Sequence, residues 1–182
     1  MIFPIKIPSK HTNEKLSFYE HLPQKIREVI LDFTLSSGDN DIIPSDDDIK
    51  MLINYGDEII MQTGEHEGKN AIENAMQNAL KAFVPNSTDL CKANGILILV
   101  EVNTYSSTLV LEISKTMDIL YALCCNNQDI IFNNATDTLH ALLYSNQDIT
   151  FGIKTNAIFP LEYTKVTIIA TRYTEKLKPV NN

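Results

Sequence analysis

The chain has 182 residues, 44% hydrophobic and 21% charged, which describes an ordinary globular protein able to bury a core without disulfides or metals. Its formal net charge of -8, with only 15 Lys and Arg, argues against nucleic acid and anionic membranes as partners, since both are gripped through clustered basic side chains. No apolar run reaches the roughly 18 residues of a membrane span, and "MIFPIKIPSK" is too short and too Pro-interrupted for a signal peptide, so a cytoplasmic location is expected.

Residues 1–21 read as an N-terminal arm in which Pro4 and Pro8 break any regular element. Leu22, Ile26, Val29, Ile30 and Phe33 then recur at helical spacing, predicting a helix over 22–36 with Pro23 at its start and Gly38 past its end. "GDNDIIP" is a loop. In "PSDDDIKMLI", Ser45 has the character of an N-cap with Asp48 at the third helical position, and Asp46, Asp47 and Asp48 lie against the positive helix end. This helix runs to about Asn54. "DEIIMQT" predicts a strand ending at Gly64, and "GEHEG" a solvated loop. From Lys69 to Phe83 an apolar stripe of Ala71, Ile72, Ala75, Met76, Ala79, Leu80 and Phe83 predicts a helix, its small alanines implying close packing on a sheet; Pro85 stops it.

"NGILILVEVN", Asn94 to Asn103, is a near-continuous apolar strand of the kind covered on both faces. Within 104–146, "TLVLEIS" reads as strand or helix start, "KTMDILYALCC" as helix, and "NATDTLHALLY" as a shorter helix. "DITFGIKT" and "KVTIIATRY" are two strands joined by a loop containing Pro160, and 176–182 form a tail. "NQDIIF" at Asn127–Phe132 returns as "NQDITF" at Asn146–Phe151, far shorter than any structural repeat. The order of elements predicts a mixed sheet packed with helices, with a right-handed crossover wherever a helix joins parallel strands.

Local motifs for catalysis are sparse. The 6 glycines are too dispersed for a phosphate-cradling loop, and neither GxxxxGK[ST] nor GxGxxG occurs. Glu65, His66 and Glu67 are contiguous, which suits a solvated loop better than a metal site, and His11, His21 and His140 stand singly, so no metal is expected. Cys91, Cys124 and Cys125 form no CxxC; the adjacent pair allows a strained vicinal disulfide, though buried free thiols fit a cytoplasmic chain better. Two Asn-x-Thr acceptor patterns, at Asn86 and Asn134, carry no weight without a secretion signal. The strongest local feature is the triplet Asp46, Asp47 and Asp48. Each acid at a helix N-terminus contributes ~0.3–1 kcal/mol, but three in a row exceed what capping needs and repel one another. A second role, facing a partner or a metal-bound phosphate, is the sharper reading.

Laid end to end, these segments resemble the C-terminal half of FtsZ, the bacterial tubulin homologue. "DIKMLINYGDEIIMQTG", Asp48 to Gly64, is similar without a gap to the family pattern D-V-R-x-V-M, a short spacer, then M-x-M-M-G-T-G. "GKNAIENAMQNAL" stands where the family has its Ala-rich helix, and "STDLCKANGILILV" is similar to I-D-L-x-G-A-R-G-V-L-V-N-I. "DITFG" followed by "KVTIIATRY" resembles the closing I-I-F-G and R-V-T-V-I-A-T-G strands. The likeness covers roughly 25–173, with extra residues around the "NQDIIF" echo.

The resemblance implies an α+β fold: a two-layer, mixed four-stranded sheet packed with helices, as an FtsZ/tubulin C-terminal-like domain over 22–175 with an insertion within about 104–146. Helix 22–36 then corresponds to the end of the family's central helix. The family's nucleotide-binding half, with its G-G-G-T-G-T-G loop, and its C-terminal tether peptide have no counterpart in these residues, so no cofactor is expected in the chain itself. The family loop N-x-D-x-x-D-[VI] acts on GTP held by the neighbouring subunit. Here Ile43 replaces the Asn and Ser45 the first Asp; Asp48 is the one matched acid, with Asp46 and Asp47 as candidate substitutes. The implied function is a stand-alone interaction domain, not an enzyme on its own, that binds or modulates FtsZ- or tubulin-type filaments in cell division through Ser45, Asp46, Asp47 and Asp48. The alternative is the activating half of a split GTPase, offering its acidic loop to GTP supplied by a partner subunit. A homodimer that covers the surface left by a missing neighbour is a third reading.

Overall fold

A computed structural model describes residues 5–6, 18–35, 41–81, 93–103 and 148–173. In chain order these are β1 (Ile5–Lys6), a 3-10 turn (Phe18–His21), α1 (Gln24–Leu35), α2 (Asp46–Ile53), β2 (Glu58–Glu67), α3 (Ala71–Lys81), β3 (Gly95–Val102), β4 (Asp148–Thr155) and β5 (Tyr163–Arg172). The expected mixed sheet is present, with strands in the order β1-β2-β5-β3-β4. β3 and β4 run parallel, and β5 is antiparallel to both its neighbours, β2 and β3. Beyond the four predicted strands, the arm adds the two-residue β1, pairing Ile5 with Ile59 and Lys6 with Glu58.

Helices pack on both faces, which corrects the two-layer expectation to three layers. On one face, Ile72, Ala75, Met76, Ala79 and Leu80 of α3 lie over Ile60, Ile96, Ile98, Val100, Val166 and Ile168. On the other, Ile26, Ile30 and Phe33 of α1 and Ile49, Leu52 and Ile53 of α2 lie over Ile59, Leu97, Leu99 and Ile169. The physical reason resides in β3, whose eight residues are all buried. A strand apolar on both sides needs cover on both, and each such side chain contributes roughly 1.5–3 kcal/mol when fully withdrawn from water.

β2 also differs from expectation. It does not stop at Gly64 but continues to Glu67, because Gly64, Glu65, His66 and Glu67 pair with Val166, Lys165, Thr164 and Tyr163. "GEHEG" is therefore mostly strand. Gly64 is there for packing: a Cβ at this position would lie 2.2 Å from the carbonyl oxygen of Ala75 and from the amide nitrogen of Ala79. The alanine stripe of α3 and this glycine together let helix backbone approach strand backbone.

The expected helix pair and insertion within 104–146, the crossover they imply, the three cysteines, both Asn-x-Thr patterns, Phe83 and the tail lie outside the described residues. Of the hexapeptide echo, only the end of its second copy is described, and it enters β4.

Candidate functional site

The segment that leads into α2 is strapped to the β4 edge. Ile42 and Ile153 exchange backbone hydrogen bonds of 2.8 Å in each direction. One step earlier, the Asp41 carboxylate accepts from both the amide and the hydroxyl of Thr155, each at 2.7 Å. Pro44 is buried against Gly152, where a Cβ would stand 2.8 Å from its ring. The start of α2 is thus held in place before the helix begins.

Ser45 is the N-cap, in extended conformation (φ -66, ψ 152). Its hydroxyl accepts from the Asp48 amide at 3.1 Å and donates to Asp48 Oδ2 at 2.6 Å. This satisfies one orphan amide of the helix and turns the Asp48 carboxylate toward the cap. Asp46 is engaged twice, by an ion pair with Lys50 one turn along and by the phenol of Tyr19, which donates to it. The Lys50 hydrogen bond, followed by that of Tyr19, holds the Asp46 carboxyl below its ordinary range, and Asp46 in turn raises Lys50. Tyr19 is pushed well above its usual value by burial first, then by its bond to Asp46 and the charges of Asp46 and Asp47. Asp47 makes no side-chain hydrogen bond or ion pair with a described residue. Ser45, Asp46, Asp47 and Asp48 are all exposed.

The four sequence-predicted site residues therefore form one continuous surface, though with unequal roles. Asp48 is committed to the cap, Asp46 to Lys50 and Tyr19, and Asp47 faces outward. Such a surface can meet cations or a positively charged partner face. Among the described residues, no group of three His, Cys, Asp or Glu side chains is disposed to hold a metal ion, and no helix is long and apolar enough to cross a membrane. Sequence reasoning missed two of the residues that shape the site. Lys50 carried a signal, its four-residue spacing from Asp46. Tyr19 carried none, since it lies 27 residues from its partner.

No protein-family model matches this chain, and no curated protein does. Solved structures do. An empty FtsZ dimer from M. jannaschii is 15% identical with a TM-score of 0.51, the match covering 88% of this chain and 47% of that one. CetZ from Methanosaeta thermophila is 18% identical with a TM-score of 0.48, covering 82% of this chain and 36% of that one. GDP-form protofilaments of TubZ from Bacillus thuringiensis serovar israelensis give 10% identity and a TM-score of 0.45, covering 81% and 36%. At 15% identity the similarity to FtsZ is one of fold, and the chain spans about half (47%) of the length of that FtsZ chain. The α+β fold is that of an FtsZ/tubulin C-terminal domain.

Proposed function

We propose that this FtsZ-like domain acts by protein–protein contact in the cytoplasm, docking the exposed start of α2 on FtsZ- or tubulin-type filaments and capping or modulating their assembly in cell division. The observation that carries this reading is the surface Ser45–Asp48: exposed, acidic and rigidly presented, on a fold shared with FtsZ. The solved neighbours include a dimer of FtsZ and protofilaments of TubZ, which favours a partner of that kind or a second copy of this chain. Co-pelleting with a filament-forming FtsZ tests it. Binding that alters the amount or length of filament is expected, and unchanged assembly with no bound domain refutes it.

The outward-facing Asp47 favours a second reading, in which the acidic loop completes a GTP site held by another subunit. Mixing this chain with a nucleotide-binding half and following phosphate release distinguishes the two. Turnover that appears only in the mixture and is lost in Asp47→Asn supports the second reading over the first.

A further inference from the structure

At the end of the sheet where β4 stops, residues 156–162 form a loop that is fixed at almost every step. The amide of Asn156 donates to Val102 O at 2.7 Å, and the Asn156 side chain accepts from the Ile158 amide at 3.0 Å. The amide of Phe159 returns to Asn156 O at 3.2 Å, and Asn103 donates to Phe159 O. The Phe159 ring meets Tyr163 edge-on at 4.7 Å. Glu162 adopts a left-handed conformation (φ 62), with its carbonyl accepting from the Gly68 amide at 3.1 Å.

This rigid frame buries neither of its two aliphatic side chains. Ile158 is 92% exposed and Leu161 66%. Holding such residues in water by an ordered turn lowers the entropic cost of docking them later. The surroundings are mainly acidic. Glu162 is exposed in the loop, and Glu65 and Glu67 are exposed on the adjoining strand; Lys165, opposite Glu65 and paired with Glu101, and the exposed Lys69 are the counter-charges. Burial, together with Glu65, Glu101 and Glu67, pushes the Tyr163 phenol to about 12. An acidic rim disfavours an anionic bilayer. The same acidic rim disfavours a second copy of this tip facing it, and two aliphatic side chains alone fall far short of the roughly 800 Å² per partner of a stable interface, so the tip is one contact of a larger one.

We infer that the Ile158–Leu161 tip is a docking knob for a protein partner, seating in an apolar pocket rimmed by basic side chains. This rests on the proposed function, which makes that partner the FtsZ- or tubulin-type filament, and it adds a second, apolar point of contact to the acidic one.

The experiment is co-pelleting of the full chain with FtsZ filaments assembled on GTP, comparing wild type with Ile158→Ser/Leu161→Ser and with Asp46→Asn/Asp47→Asn/Asp48→Asn. The serine variant is expected to bind at least about tenfold more weakly at every salt concentration. The asparagine variant is expected to lose the salt-dependent part of binding. Both serine positions are exposed, so an unchanged thermal unfolding curve accompanies the loss. Serine-variant binding equal to wild type, with the asparagine variant impaired, overturns the knob and leaves the proposed function standing. No pelleting of wild type removes both. Flotation of wild type with phosphatidylcholine vesicles, or a wild-type dimer in sedimentation, either one abolished by the serine variant, assigns the tip to lipid or to a second copy and overturns the protein-partner assignment.

Discussion

The two faces of the sheet are drawn from the same strands, yet they change character at different points. On the α3 face, three consecutive cross-strand rows are largely apolar: Ile60, Ala170, Ile96 and Ile149; then Gln62, Ile168, Ile98 and Phe151; then Gly64, Val166, Val100 and Ile153. On the face covered by α1 and α2, the row Met61, Ile169, Leu97 and Thr150 is mostly apolar, and the row above it, Thr63, Thr167, Leu99 and Gly152, is already mixed. The next row is Glu65, Lys165, Glu101 and Lys154, four charges of alternating sign. Lys165 reaches Glu101 at 2.7 Å, and Lys154 continues the series to the Asp32 carboxylate of α1 at 3.2 Å. Helical cover by apolar side chains ends where this row begins, and the sheet meets its surroundings there through paired charges.

The contrast can be broken most severely from the α3 side. Gly64→Ala forces a Cβ into helix backbone and is expected to cost about 3 kcal/mol in urea unfolding. On the opposite face, Glu101→Gln removes the anion between two lysines and is expected to cost about 1.5 kcal/mol, whereas Glu65→Gln, in the same row but exposed, stays within about 0.5 kcal/mol of wild type. Equal effects at 101 and 65 would show that the row is not graded by burial. Ser45→Ala loosens the cap of α2, part of the cover on this face, at about 1 kcal/mol.

The smallest effect is pH-dependent. Asp46 is held below its ordinary value of 3.8, so its contribution is present above that value and fades as pH falls through the lower folded-state value. The stability gap between wild type and Asp46→Asn should therefore be constant near neutrality and close in acid, as read by thermal melts from pH 7 downward. A gap that widened in acid would contradict the assigned partners.

How much of this could be read from residues alone depends on how local the cause is. The α3 stripe, the Ser45 cap with Asp48, and the doubly buried run of β3 rest on neighbours within a turn or a strand, and each emerges from spacing. The continuation of β2 through Glu65, His66 and Glu67 does not. Alternating polar residues between two glycines look like a loop until Lys165 and Tyr163, distant in sequence, come to lie opposite them. Gly64 was legible as a family motif position, but its reason, the closeness of Ala75 and Ala79, appears only in three dimensions. The third layer escaped for a similar cause: an amphipathic helix carries an apolar face but no statement of which side of a sheet it will cover. At the site, the acidic triplet was visible and its division of labour was not, because Tyr19 reaches Asp46 from the arm.

The position of β5 has a consequence for how the molecule assembles. β2 and β3 share no ladder with one another; each bonds to β5, and the Thr63–Thr167 contact spans 104 residues of sequence. Closure across so long a separation is slow. Until that strand slides in, "GILILVEV" has an unpaired edge facing it, and a proline-free apolar segment in that state invites pairing with other chains. The step that completes the sheet is also the step that protects the protein from aggregation.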